Sequence, residues 1–186
     1  MDFFIGSTSL YNQPNYYSND CTNFVSQCLA AGGLKQDSTW NSKVSFSANL
    51  AHRTDSTAWV NAEALKNWMK NSGVATKIGS WSKNGIPEPY PTYAYANNSN
   101  NLTSSNAGKV VLFYDWEADG TMNHSSFFVK NNSASTYSGE GTGDLIDQHT
   151  TNRKHVLWHA DMRHANTEQG QYQRNVTRIY ALQINA

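Results

Sequence analysis

Two side chains in this sequence have the types and settings for acyl chemistry. Cys21 stands in the first turn of the stretch Asp20-Cys-Thr-Asn-Phe-Val-Ser-Gln-Cys-Leu-Ala-Ala-Gly-Gly33. Asp20 is suited to cap a helix there, and the positive end of a helix dipole favours a thiolate. The plainer alternative is a small buried hydrophobe, which is what most free cysteines are; Cys28, deeper on the same face, fits that description. A thiolate nucleophile needs a histidine on a separate element, and that histidine needs an orienting group. His124 opens an apolar run directly after a tight loop, where a catalytic side chain is commonly exposed. His149 lies near the end of the next such run, on the side of Leu145 and Asp147. Antiparallel pairing of the two runs would bring it toward His124.

Other clusters carry weaker signals. Asp115, Glu117 and Asp119 occupy positions 1, 3 and 5 of a loop with Gly120 at 6 and Asn123 at 9, resembling the front half of a calcium loop. Ser126 stands where the closing glutamate belongs, so an acidic hairpin turn is the plainer reading, with calcium as a structural option. His155, His159, Asp161 and His164 could be read as zinc ligands, but no glutamate follows the first histidine. A surface helix or loop fits 155–159 better. On one helix, Cys21 and Cys28 stand about 10 Å apart. A disulfide needs less than about 7 Å, so they are not expected to pair.

The elements that must position these residues read as follows. A first helix covers Asp20–Ala31, with Phe24, Cys28 and Ala31 on its apolar face beside Val25 and Leu29, and Gly32-Gly33 ending it. Residues 1–14 form an irregular arm before it. Residues 34–54 are polar and loop-like. A second helix spans Thr57–Asn71 on a stripe of Trp59, Ala62, Leu65, Trp68 and Met69. Residues 79–107, with Pro87, Pro89 and Pro91, form a long loop holding at most one short strand. The C-terminal half is β: strands at 109–114, 124–130, 144–150 and 178–184, with a Gly/Ser/Asn loop at 131–143. Helices followed by an antiparallel meander make an α+β fold, in one domain over residues 1–186.

Composition narrows the function. Lys+Arg and Asp+Glu are each 14 in 186 residues, so net charge is zero and a dedicated nucleic-acid binder is not expected. Charged residues are only 15%, against about 25% in an average soluble domain. In their place stand 22 Asn, 20 Ser and 15 Thr, a hydrated and weakly charged surface often seen in secreted, wall-associated proteins. Aromatic residues at 12% supply enough area for a core. No apolar run approaches about 18 residues, so no membrane helix is expected. The start, Met1-Asp2-Phe3-Phe4-Ile5, lacks the features of a signal peptide. A secreted or cell-wall location would therefore need an excised module, special export or release by lysis.

The run from Asp20 to Gly33 resembles the defining motif of a bacterial putative-amidase domain family, related to NlpC-type and CHAP-type cell-wall hydrolases with a papain-like layout. The likeness continues at Trp59-Val-Asn-Ala-Glu-Ala-Leu-Lys-Asn-Trp68, at Gly108-Lys-Val-Val-Leu-Phe-Tyr-Asp-Trp116, at Asp119-Gly-Thr-Met-Asn-His-Ser125 and at Gln148-His-Thr150. It covers most of residues 15–184. Two positions depart from the family pattern: Lys109 and Asn123 stand where aspartate is usual.

The resemblance implies Cys21 as nucleophile, His124 as base and a polar residue of the next strand as orienter. His149 matches that place best, with Asp147, Gln148 and Asn132 as rivals. The Cys21 amide would donate to the oxyanion, worth about 3 kcal/mol if well placed, with a second donor from the segment holding Tyr17, Asn19 and Asp20. The implied reaction is cleavage of peptidoglycan amides, at the sugar–peptide junction or within the stem peptide, with no cofactor required. The expected partner is that substrate alone, with no nucleic acid, no membrane and the chain acting as a monomer. A cysteine peptidase or toxin acting on a protein, and a non-catalytic wall-binding module, are the competing classes.

Overall fold

A computed structural model describes residues 19–47, 50–82, 98–115, 119–139, 141–150, 152–159 and 178–185. The expected N-terminal arm, the proline-rich stretch, Tyr17, Glu117, Asp161 and His164 lie outside them. Helix α1 runs Cys21–Ala31, α2 Thr57–Val60 and α3 Ala62–Asn71. Strands are β1 Ser42–Ser47, β2 Leu50–Asp55, β3 Ala75–Ser82, β4 Val110–Asp115, β5 His124–Ala134, β6 Thr142–Gln148, β7 Arg153–Leu157 and β8 Arg178–Ile184. The protein is α+β, as its pattern predicts. The main sheet has six strands in the order β3-β8-β4-β5-β6-β7, and every pairing is antiparallel. Among the described residues no helix is long and apolar enough to cross a membrane.

Strand β4 shows why the sheet is central. All six of its residues are buried, as expected for a strand covered on both faces. Val111 and Phe113 point to the helix side, where they meet Phe24, Val25 and Leu29 of α1 and Leu65 and Met69 of α3. Val110, Leu112 and Tyr114 point the other way, to Phe128, Ile146, Trp158 and Leu102. Period-two alternation thus splits one apolar run between two cores. On the helix side Trp40 is stacked between Trp59 and Trp68, at 4.9 and 4.6 Å between ring centroids. Its Nε1 donates to Ser26 Oγ (3.1 Å), and Ser26 donates to the Trp59 carbonyl (2.9 Å), fastening α1 to α2. Neither cysteine is in a disulfide, as the helical spacing predicts.

Several sequence expectations are corrected. The polar segment 34–54 contains the β1–β2 hairpin, a separate two-stranded sheet with Ser42 opposite Asp55. The single helix over 57–71 is two, because Asn61 is extended (φ −118°, ψ 127°) and its side chain accepts from the Ala64 amide as a new N-cap. The predicted stripe survives the break: Trp59, Ala62, Leu65, Trp68 and Met69 are all buried. Ala31, expected on the apolar face of α1, is exposed. Residues 153–157 are a strand with Val156 and Leu157 buried, not a surface helix or loop. β5 also runs four residues further than expected and absorbs the extra length in two register shifts against β6.

Candidate active site

Cys21 opens α1 and is 5% exposed. Asp20 occupies the N-cap position, yet its side chain makes no capping bond to the first-turn amides. This corrects the expected cap. Its Oδ1 instead accepts from Asn23 Nδ2 (2.6 Å), and its Oδ2 lies 2.9 Å from His149 Nδ1. The Cys21 amide has no hydrogen-bond partner among the described residues. A helix start left uncapped in this way keeps its N–H groups available to a developing negative charge.

His124 is the first residue of β5, 1% exposed, with its ring 5.5 Å from that of Tyr114. Its Nε2 lies 3.0 Å from Gln148 Oε1. A glutamine oxygen can only accept, so this contact is a hydrogen bond when Nε2 carries a proton. Burial pushes the Cys21 thiol up, but four contacts outweigh it: the charge on His124, a hydrogen bond to the same ring, the Ser125 amide and the Thr22 hydroxyl. Together they bring the thiol down from 9.0 to about 7. Thr22 Oγ1 lies 3.7 Å from Sγ and accepts from Ser125 Oγ (3.1 Å), which ties the start of α1 to the start of β5. Cys28 shows the contrast. Burial, and then the nearby Asp147 carboxylate, push this partly buried thiol up to about 12, which disfavours its thiolate.

The third position differs from expectation. Phe127 pairs with Asp147 and Phe128 with Ile146. Directly opposed residues share a face, so Gln148 falls on the face of His124 while Asp147 and His149 fall on the other. His149 stacks on Phe24 (4.2 Å, 16°) and pairs with Asp20. The residue brought to His124 is therefore Gln148, and His149 is brought to the helix start. Asn132 lies further along β5, at 3.4 Å from Asn98 Nδ2.

A cavity of about 260 Å³ opens beside the thiol, lined by Asn19, Cys21, Thr22, Asn61, Asp119 and Thr121 among others. One wall is the break between α2 and α3, and the other is the loop entering β5. That loop is held by Glu63 of α3, whose Oε2 accepts from the Met122 amide (2.9 Å). Asn19 lines the cavity, as a second oxyanion donor would have to. Asp115 takes both its oxygens to backbone donors, the amides of Asp119 (3.2 Å) and Gly120 (2.9 Å), and Asp119 Oδ1 accepts from Thr121 N (2.7 Å). These contacts tie Asp115 to residues 119–121, and Glu117 between them lies outside the described residues. Among the described residues no three His, Cys, Asp or Glu side chains gather as a metal site.

A buried thiol lowered by a histidine, at an uncapped helix start and beside a cavity, is equipped for acyl transfer. The model of the putative amidase domain matches residues 5–173. The chain belongs to that family. Membership in the amidase domain family points to amidase-type hydrolysis. The chain is also similar to the uncharacterized protein YjcM of Bacillus subtilis (strain 168), 29% identical over 148 residues. That match takes in 78% of this chain and 28% of YjcM, so the chain spans little more than a quarter of that relative's length. No solved structure matches.

Proposed function

We propose that this amidase domain is a papain-like cysteine amidohydrolase, kin to the NlpC-type and CHAP-type hydrolases, that cleaves amide bonds of bacterial peptidoglycan. The observation that carries the chemistry is the meeting of Cys21, 5% exposed at the start of α1, with the His124 ring, the Ser125 amide and the Thr22 hydroxyl, which outweigh burial and bring the thiol down to about 7. The substrate class rests on the family resemblance. A cavity lined by amides, hydroxyls and a carboxylate also suits a substrate rich in hydrogen-bonding groups.

The reaction then proceeds through ordinary thiol chemistry. His124 Nδ1 takes the Cys21 proton, and the thiolate attacks the amide carbonyl carbon to form a C–S bond. The carbonyl oxygen becomes an oxyanion facing the Cys21 amide at the helix start, with Asn19 as the side chain placed to assist. Collapse breaks the C–N bond, and His124 returns its proton to the departing amine. His124 next deprotonates a water that attacks the thioester. The C–S bond breaks, the acid product leaves, and the thiolate–imidazolium pair is restored. Gln148 accepts from Nε2–H throughout and holds the ring in one tautomer. The chemistry is routed through no cation.

The test is digestion of purified peptidoglycan with mass analysis of the fragments. The wild-type chain is expected to release fragments ending at a cleaved amide. Cys21→Ala is expected to release none while its thermal midpoint stays within a few degrees of wild type. Undiminished cleavage by the alanine variant would overturn the proposal, and the fragment masses identify the scissile bond.

A further inference from the structure

Three successive residues leave β6, and each grips part of the reacting pair. Gln148 Oε1 holds the base through His124 Nε2 at 3.0 Å. His149 Nδ1 holds the Asp20 carboxylate at 2.9 Å, its ring stacked on Phe24. Thr150 Oγ1 accepts from the Asp20 amide at 2.8 Å. Asp20 is the residue immediately before the nucleophile, and it is further held by Asn23 Nδ2 on its Oδ1 and by the Phe24 amide on its carbonyl. Nucleophile and base are 103 residues apart in sequence, on a helix and a strand. A single tripeptide bridges them.

The backbone of this turn is unusual in the way a constrained site is. Thr150 has φ +57°, a left-handed conformation that a β-branched residue adopts only when its surroundings impose it. In this conformation the Thr150 hydroxyl accepts from the Asp20 amide at 2.8 Å. A turn serving only to join β6 to β7 would be cheaper with glycine or asparagine at that place.

We infer that Gln148, His149 and Thr150 together set the spacing between Cys21 and His124, with His149 and Thr150 acting as positioning residues on the nucleophile through Asp20. This rests on the reading of Cys21 and His124 as nucleophile and base. The contact between thiol and ring is short-ranged. Any slack at Asp20 lets Cys21 recede from the ring, so the thiol loses the interaction that offsets its burial.

The experiment uses iodoacetamide, which reports the Cys21 thiolate without any substrate. The rate of Cys21 carboxamidomethylation is followed by mass spectrometry against pH, with Cys28 as the silent internal control. Thr150→Val keeps the shape and removes the hydroxyl. His149→Phe keeps the stack on Phe24 and removes the bond to Asp20. Each is expected to move the Cys21 midpoint upward by about one pH unit and to slow alkylation at pH 6 by about tenfold. Thr150→Ser, which keeps the hydroxyl, is expected to stay within about twofold of wild type. A purely structural turn would lower the thermal midpoint of the first two variants and leave the thiol midpoint alone.

Unchanged midpoints in both variants, over a wild-type midpoint near 7, overturn this inference and leave the proposed reaction standing. Variants that unfold at the assay temperature overturn it too, since the contacts would then serve the fold rather than the spacing. A wild-type midpoint near the ordinary thiol value overturns the nucleophile–base reading and this inference with it. Cleavage of peptidoglycan by Cys21→Ala removes the nucleophile reading and this inference with it, whereas a wild-type chain with a thiol midpoint near 7 that leaves peptidoglycan intact overturns the proposed substrate alone.

Discussion

Which side chain meets His124 is decided by one step of strand register. Cys21 and His124 are legible in the sequence because each sits at the start of an element with its own local signal, a cappable helix and an apolar run after a loop. The third residue has no such signal. Gln148 and His149 are neighbours on a strand, so they point to opposite faces, and only the pairing of Phe127 with Asp147 says which one meets His124. Sequence spacing carries no register, and a histidine therefore looked the better partner than a glutamine. Which effect dominates at the thiol can be tested directly. Wild-type Cys21 is expected to titrate at about 7, so its alkylation rate should fall about tenfold per pH unit below that point. In His124→Ala the offsetting charge and hydrogen bond are gone while burial persists. The midpoint should then rise above the ordinary 9.0. Gln148→Leu leaves the ring in place without its acceptor, and its midpoint should fall between these two. A His124→Ala midpoint still near 7 would mean that the helix start alone holds the thiolate.

Elements were legible in proportion to how far periodicity alone defines them. The apolar stripe of Trp59, Ala62, Leu65, Trp68 and Met69 was readable, and all five residues are buried. The break within it was not, because a helical period continues across Asn61 even though the backbone does not. The β1–β2 hairpin and β7 were missed for a related reason. Their residues are mostly polar, and their strand state comes from pairing with a partner, which no single segment records. The break at Asn61 also serves the site, since it turns Val60, Asn61 and Ala62 into one wall of the cavity beside Cys21. The Asn61 side chain caps α3 through the Ala64 amide at 2.9 Å. Asn61→Ala is therefore expected to cost about 1 kcal/mol of stability, read from the denaturant midpoint at unchanged slope. Asn61→Asp, which keeps an acceptor, should remain close to wild type. Equal losses in both variants would show that packing at the break, and not the cap, holds α3.

Across the whole molecule, charge bears on how the amidase domain would reach the proposed substrate, a polyanionic wall. Fourteen cations balance fourteen anions, so there is no net field to draw the protein toward anionic polymer. Among the described residues positive charge does gather around Tyr180, with Lys66, Lys70 and Lys77 at 5.8, 5.6 and 4.9 Å from its ring. Lys66 is already paired with Glu63 at 2.5 Å, which leaves the cluster partly neutralised. Lys66 and Glu63 are partly buried and already satisfied by one another, and the ring contacts of the remaining lysines are worth little in water, where salt screens them further. Recognition should then come from the cavity by shape and hydrogen bonding, both of which are insensitive to ionic strength. Binding of the Cys21→Ala chain to purified sacculi, measured by co-sedimentation, is expected to change less than about threefold between roughly 0.05 and 0.5 M sodium chloride. A steep fall over that range would mean that charge captures the wall after all. Replacing Lys70 and Lys77 with glutamine would then locate the capture, because only a patch centred on Tyr180 would lose its salt dependence with them.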